Sequence, residues 1–239
     1  MRRKLKWIII AVVVAVIAAP AIAFVLYTGD YYHADSAALT ALESTGSVQV
    51  SRTDYGWFLD GPAKEDALIF YPGAKVEATA YAPLLHLLAE EGMDVCLVEM
   101  PFRLAFFGTN RADSVMEMYD YPHWYIGGHS LGGAMAAVYA AERGDSLTGL
   151  IMFAAYPTKP LNNKFLTMSI YGTEDGLLNM EKVRLSKNYT PGTFLTYVIE
   201  GGNHAWFGNY GIQEGDGTAT IARSRQQQLA VEFIVQHLR

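Results

Sequence analysis

Two kinds of hydrophobic run divide the chain. From Trp7 to Tyr27 all 21 positions are apolar, with no polar face. At 1.5 Å per residue a helix of that length spans about 31 Å, close to the hydrocarbon thickness of a bilayer. A core helix of a globular domain is apolar on one face only, so this stretch stands apart. After a polar stretch from Tyr31 to Ser47, read as a linker or short helix, the rhythm changes. Val48 to Val50 and Tyr55 to Leu59 alternate like antiparallel strands joined near Thr53-Asp54. Ala67 to Tyr71 is a continuous apolar strand stopped by Pro72-Gly73. Tyr81, Leu84, Leu85 and Leu88 then recur at i, i+3, i+4 and i+7, a helix ended by Gly92.

The same alternation continues to the C-terminus. It predicts strands over 94–98, 123–127, 147–154, 165–171 and 193–199. Helices are predicted over 131–142, near 179–187 and over about 224–238, the last with Leu229, Phe233 and Ile234 on its inner face. The stretch from Pro101 to Asp120 is aromatic and irregular. Continuous apolar strands separated by helices imply an α/β fold, a mostly parallel sheet covered on both faces, with the two early strands at an antiparallel edge. The domain expectation is an N-terminal segment over 1–30 and one α/β domain over 31–239.

Charge sharpens the division. Arg2, Arg3, Lys4 and Lys6 precede the first run, and no acid does. The rest of the chain carries fourteen basic against twenty-four acidic residues, a net charge of −10. Such a domain repels nucleic-acid phosphates, so no nucleic-acid partner is expected. The basic flank belongs in the cytoplasm, which puts the domain outside it. The first segment reads either as a retained transmembrane anchor, because Phe24 to Tyr27 bring it to spanning length, or as a signal cleaved after Ala21-Ile22-Ala23, beyond the breaker Pro20. The anchor is the preferred reading. Cys96, the single cysteine, lies within Val95-Cys96-Leu97-Val98 and reads as a buried core thiol.

The chemistry gathers at strand ends. Gly128-His129-Ser130-Leu131-Gly132 fits the Gly-x-Ser-x-Gly nucleophile elbow, in which a serine sits on a sharp strand-to-helix turn. Glycines two residues away leave room for that turn, and the helix start is aimed at the reacting carbonyl. The pentapeptide arises by chance in on the order of one chain in ten, so its place between strand and helix carries the assignment. A serine nucleophile needs a base and an orienting acid. Asp175, in Gly172-Thr173-Glu174-Asp175, follows the strand ending at Tyr171, with Glu174 the adjacent rival. His204, in Gly201-Gly202-Asn203-His204, follows the next strand. His33, His86, His123, His129 and His237 fit worse by position. The oxyanion donors are the N–H of Leu131 and one from the loop Pro72-Gly73-Ala74-Lys75, either Ala74 or Lys75, with Ala74 favoured.

Through these motifs, and through Tyr71-Pro72-Gly73 and Gly-Gly-Asn-His-Ala-Trp-Phe, the chain from about Trp57 onward resembles the α/β-hydrolase superfamily. Within it, it is similar to the small, lid-poor dienelactone hydrolases and their membrane-associated relatives. Dienelactone hydrolases proper carry a cysteine nucleophile where this chain has Ser130. The resemblance implies a Ser130–His204–Asp175 triad hydrolysing carboxylic esters through an acyl-enzyme. Acyl transfer or amide cleavage on the same triad, and a non-catalytic binding domain, are the alternatives. No cofactor is implied, and the histidines and carboxylates show no metal-ligand spacing. The connection from Tyr156 to Lys164 is too short for a lid domain, so small or short-chain acyl groups are expected. Phe102, Phe106, Phe107, Tyr156, Trp206 and Phe207 are the candidates for an apolar wall.

Overall fold

The computed structural model describes residues 2–162 and 165–238. Met1, Asn163, Lys164 and Arg239 lie outside them, as do the side chains of Arg2, Leu5, Ile8 and Ala11 and the end of the Tyr156–Lys164 connection. The chain forms two compact units, Met1–Tyr31 and Tyr32–Arg239. The first is one helix, α1 (Arg2–Gly29), which continues through Pro20. Pro20, the breaker of the cleaved-signal reading, does not interrupt the helix. The proline withholds one N–H, and an apolar helix of this length tolerates that loss without ending. The window Val12–Gly29 is long and apolar enough to cross a membrane, and only 6% of it is buried.

The second unit is built on one eight-stranded sheet. Its strands are β1 (Gln49–Arg52), β2 (Gly56–Asp60), β3 (Asp66–Tyr71), β4 (Met93–Val98), β5 (His123–His129), β6 (Gly149–Phe153), β7 (Leu166–Gly172) and β8 (Phe194–Ile199). They lie in the order β1-β2-β4-β3-β5-β6-β7-β8. The β1–β2 and β2–β4 pairs are antiparallel and all other pairs are parallel, as the alternating pattern before residue 60 and the continuous apolar runs after it require.

Among the described residues, six α-helices accompany the sheet: α2 (Ser36–Thr40), α3 (Ala82–Glu90), α4 (Arg111–Met116), α5 (Leu131–Arg143), α6 (Met180–Ser186) and α7 (Arg223–Leu238). The polar stretch after α1 is thus partly ordered. Asp35 caps α2 by accepting from the Ala38 N–H at 3.0 Å, and Tyr32 forms a parallel bridge with Val76. The aromatic stretch 101–120 folds into α4 and two 3₁₀ turns.

Strand β3 shows why the sheet strands are apolar throughout. Leu68 and Phe70 point to one core with Leu84, Leu88, Phe153 and Ile234, while Ala67, Ile69 and Tyr71 point to the other with Cys96, Ile126, Ala136 and Ala140. Both faces are covered, so the period-2 pattern has no polar phase. Burial pushes the Cys96 thiol up to about 12, consistent with an inert core position.

On α7 the inner face is the predicted one widened by two glutamines, with Leu229, Phe233 and Ile234 all packed against the core. Gln226, Gln227, Ala230, Val231 and Ile234 are buried, whereas Leu229 and Phe233 are half-buried. The two glutamines are drawn inward by hydrogen bonds to the loop after β8, which outweigh the simple apolar periodicity. Among the described residues, the connection from β6 to β7 carries no helix and no lid.

Candidate active site

Ser130 follows β5 and caps the start of α5 with φ 52° and ψ −122°, a left-handed φ that costs a non-glycine residue about 1–3 kcal/mol. The surrounding structure fixes that geometry. The Ser130 N–H donates to the Phe153 carbonyl of β6 at 3.0 Å, and its own carbonyl accepts from the Ala134 N–H at 3.0 Å. The flanking glycines are needed for close approach of main chain. A Cβ on Gly132 would lie 2.1 Å from the Tyr71 carbonyl oxygen, and one on Gly128 would lie 2.4 Å from the same atom. The N–H of Leu131 is the first of α5 and has no intrahelical acceptor.

Asp175 and His204 approach the same place from the ends of β7 and β8. The His204 Nδ1–H donates to Asp175 Oδ2 at 2.9 Å, with Oδ1 at 3.1 Å. The carboxylate is fully buried, and the N–H groups of Leu177 and Leu178 donate to its Oδ1 at 2.9 and 2.8 Å. These bonds fix the plane of the carboxylate. Glu174 turns elsewhere and accepts from Thr173 Oγ1 at 3.1 Å. With Nδ1 carrying the proton, His204 Nε2 is left as an acceptor, and it is buried without a hydrogen-bond partner. A cavity of about 480 Å³ has both Ser130 and His204 in its lining, with Leu131, Met135, Tyr156 and Leu178 among the other walls. Ser130 Oγ makes no hydrogen bond to Nε2 here; such bonds commonly tighten only around substrate.

The loop after β3 separates the two oxyanion candidates. The Lys75 N–H donates to the Arg103 carbonyl at 2.9 Å, and the Gly73 N–H donates to Tyr81 Oη at 3.1 Å. Among the described residues, the Ala74 N–H has no protein acceptor. Of the three, it is the one with a free donor.

Several contributors were not visible in the sequence. Asp216 accepts at Oδ1 from the N–H groups of Gly176, His204 and Gly217, and at Oδ2 from that of Ala205. It therefore ties the turn that carries Asp175 to the loop that carries His204. Gln226 brackets Asn203, accepting from its N–H at 2.9 Å and donating to its carbonyl at 2.7 Å. His129 is buried beneath the site and contacts the main chain of His204. The four remaining histidines serve elsewhere: His86 bonds the Ala41 carbonyl, His237 the Phe233 carbonyl, His123 faces Asp66 and His33 faces Glu77.

The expected apolar wall is mostly not at this cavity. Phe207 is wholly buried in the core, and Trp206 is half-buried against it. Phe106 and Phe107 line a separate cleft with Pro101, Asn110 and Arg111. Phe102 packs edge-on to Phe107 with ring centroids 5.5 Å apart. Of the six aromatic residues, Tyr156 alone lines the serine cavity. The three phenylalanines sit in the two 3₁₀ turns after β4, a local geometry that aromatic composition does not encode.

Solved structures share this architecture. A dienelactone hydrolase from Anabaena variabilis superposes with a TM-score of 0.60 at 13% identity, covering 80% of this chain and 98% of its own. A monoacylglycerol lipase from Paleococcus ferrophilus gives 0.60 at 15% identity, covering 79% and 99%. A bacterial membrane phospholipase A gives 0.58 at 11% identity and covers 99% of both chains. Identities this low establish the fold and leave the substrate open. No curated protein matches the sequence. The family model described as "Alpha/beta hydrolase family" matches residues 67–228, from β3 through Ser130, Asp175 and His204 into α7, and the chain belongs to that family.

Proposed function

We propose that the protein is a serine hydrolase of carboxylic esters, with Ser130 as nucleophile, His204 as general base and acid, and Asp175 as the orienting acid. One observation carries the reading most: a buried Asp175–His204 pair presents an unpartnered Nε2 in a cavity shared with a serine on a strained elbow. In the reaction, Nε2 takes the Ser130 proton as Oγ attacks the ester carbonyl. Asp175 keeps the imidazole in the Nδ1–H tautomer and stabilises the imidazolium. The N–H groups of Leu131 and Ala74 receive the oxyanion, and the elbow's helix start adds its dipole. His204 then protonates the departing alkoxide, and water deacylates the serine by the same route in reverse.

The absence of a lid over 156–162 and the modest cavity support small or short-chain acyl groups. Helix α1, continuous past Pro20 and apolar on all sides, supports an anchor with its basic end in the cytoplasm and the catalytic domain outside. The test of the catalytic reading is covalent labelling with a fluorophosphonate followed by peptide mapping. A single adduct on Ser130, lost in Ser130→Ala, is expected; an adduct elsewhere, or none, contradicts it.

A further inference from the structure

We infer that Tyr81 and His129 act together as a positioning unit, setting the oxyanion loop and the main chain of the base His204 in register. The inference rests on the serine-hydrolase reading above and names residues that neither the triad nor the oxyanion donors include. It starts from the direction of three hydrogen bonds. His129 Nε2 lies 3.0 Å from the His204 carbonyl oxygen. A carbonyl can only accept, so Nε2 carries the proton. In a neutral imidazole Nδ1 is then an acceptor, and it receives the Tyr81 O–H at 2.8 Å. The Tyr81 oxygen in turn accepts the Gly73 N–H at 3.1 Å. The polarity of the whole path is fixed: Gly73 N–H to Tyr81, Tyr81 O–H to His129, His129 N–H to the carbonyl of His204.

That path joins three parts of the site that the sequence separates widely. Gly73 belongs to the loop that holds Ala74. His129 immediately precedes the nucleophile, and His204 is the base. Tyr81 and His129 are buried at 0% and 1% exposure, in a setting where aligned hydrogen bonds polarise one another and a missing partner is costly. The fit is close on every side. A Cβ on Gly73 would stand 2.7 Å from Tyr81 Oη and 2.9 Å from His129 Nδ1. The imidazole is enclosed by the rings of Tyr81, His204, Phe207 and Tyr210. Burial, and then the neighbouring His204, hold His129 well below the ordinary histidine range, so it stays neutral and keeps this tautomer.

The base is consequently held at three points. Asp175 holds its ring, Asp216 its N–H and His129 its carbonyl. Of these, only the grip by His129 also reaches the oxyanion loop. A residue serving packing alone would be replaceable by an apolar side chain at no cost to turnover.

The experiment uses the full-length protein in detergent, with a soluble short-chain ester and active sites counted by fluorophosphonate titration. Tyr81→Phe removes a single oxygen. His129→Asn places its amide near the Nδ1 position, His129→Gln near the Nε2 position, and His129→Leu removes both bonds. Per titrated site, kcat falls about 10-fold in Tyr81→Phe and about 30- to 100-fold in His129→Leu and His129→Asn, while KM moves less than about 2-fold. His129→Gln, which keeps the donor to His204, recovers to within about 5-fold of the wild type. Wild-type kcat per site in Tyr81→Phe and His129→Leu, with loss of thermal stability only, overturns the inference, as does a His129→Gln no better than His129→Leu. If the His129 variants do not fold, Tyr81→Phe decides alone. A wild-type protein that neither turns over ester nor takes the probe overturns the serine-hydrolase reading, and the positioning unit with it.

Discussion

Asp216 offers a perturbation whose size follows from the structure. Its carboxylate accepts four main-chain N–H groups, at 3.1 Å from Gly176, 3.2 Å from His204, 2.8 Å from Gly217 and 2.8 Å from Ala205. Three of these lie in the two loops that carry Asp175 and His204. A hydrogen bond to a charged acceptor contributes about 1.5–3 kcal/mol net. Asp216 is half-buried, so water replaces part of what its removal loses, and Asp216→Ala is expected to cost about 2–4 kcal/mol of stability. The effect on turnover comes from geometry. A shift of about 1 Å in a catalytic group lowers the rate on the order of 100-fold. Asp216→Ala therefore lowers kcat about 10- to 100-fold with KM little changed. Asp216→Asn keeps the Oδ1 acceptor for three of the four donors and turns an amide toward Ala205, so it falls between, about 3- to 10-fold below wild type. The assay is steady-state ester hydrolysis normalised to titrated sites, with melting curves in parallel. An Asp216→Ala protein with lowered melting temperature and unchanged kcat per site would refute the argument that this carboxylate sets the base.

Three further outcomes are expected. Because burial and then His204 depress His129 below its unfolded value of about 6.5, the unfolded chain gains a proton in acid that the folded chain refuses. Stability from this source is present above pH 6.5 and is lost as pH falls, by up to about 1.4 kcal/mol per unit; melting curves between pH 7.5 and 5 check it, and an equal slope in His129→Gln would count against it. With soluble esters below their aggregation threshold, kcat/KM peaks at about two to six acyl carbons, since each CH₂ left in water forgoes about 0.8 kcal/mol; a rise continuing past about ten carbons would mean a long acyl groove. Protease added to spheroplasts digests the catalytic domain while salt washing leaves the intact chain on membranes, whereas a released chain beginning at Phe24 would replace the anchor with a cleaved signal.

What could be read in the sequence was local. The strands, the elbow at Ser130 and the strand-end positions of Asp175 and His204 each declare themselves within a few residues. Apolar runs, glycines and breakers act over that range. The pairing of His204 with Asp175 in preference to Glu174 depends on which way two adjacent carboxylates leave one turn, and the bonds from Leu177 and Leu178 decide it. Asp216, Gln226 and Tyr81 were hidden for a different reason. Each is a polar or aromatic residue in an unremarkable local setting, and its role lies in main-chain bonds to Gly176, Asn203 and Gly73 that only the folded topology brings within reach. The aromatic wall failed in the opposite direction: Phe106 and Phe107 follow a strand at the expected edge but line a separate cleft, and Phe207 is buried in the core.

The central claim is that Ser130, activated by His204, forms an acyl-enzyme, and turnover of a short-chain ester by wild type, Ser130→Ala and His204→Ala tests it most directly. The account predicts that either substitution lowers kcat by about 10⁴- to 10⁶-fold with the fold intact. Turnover by Ser130→Ala equal to that of the wild type would contradict it outright.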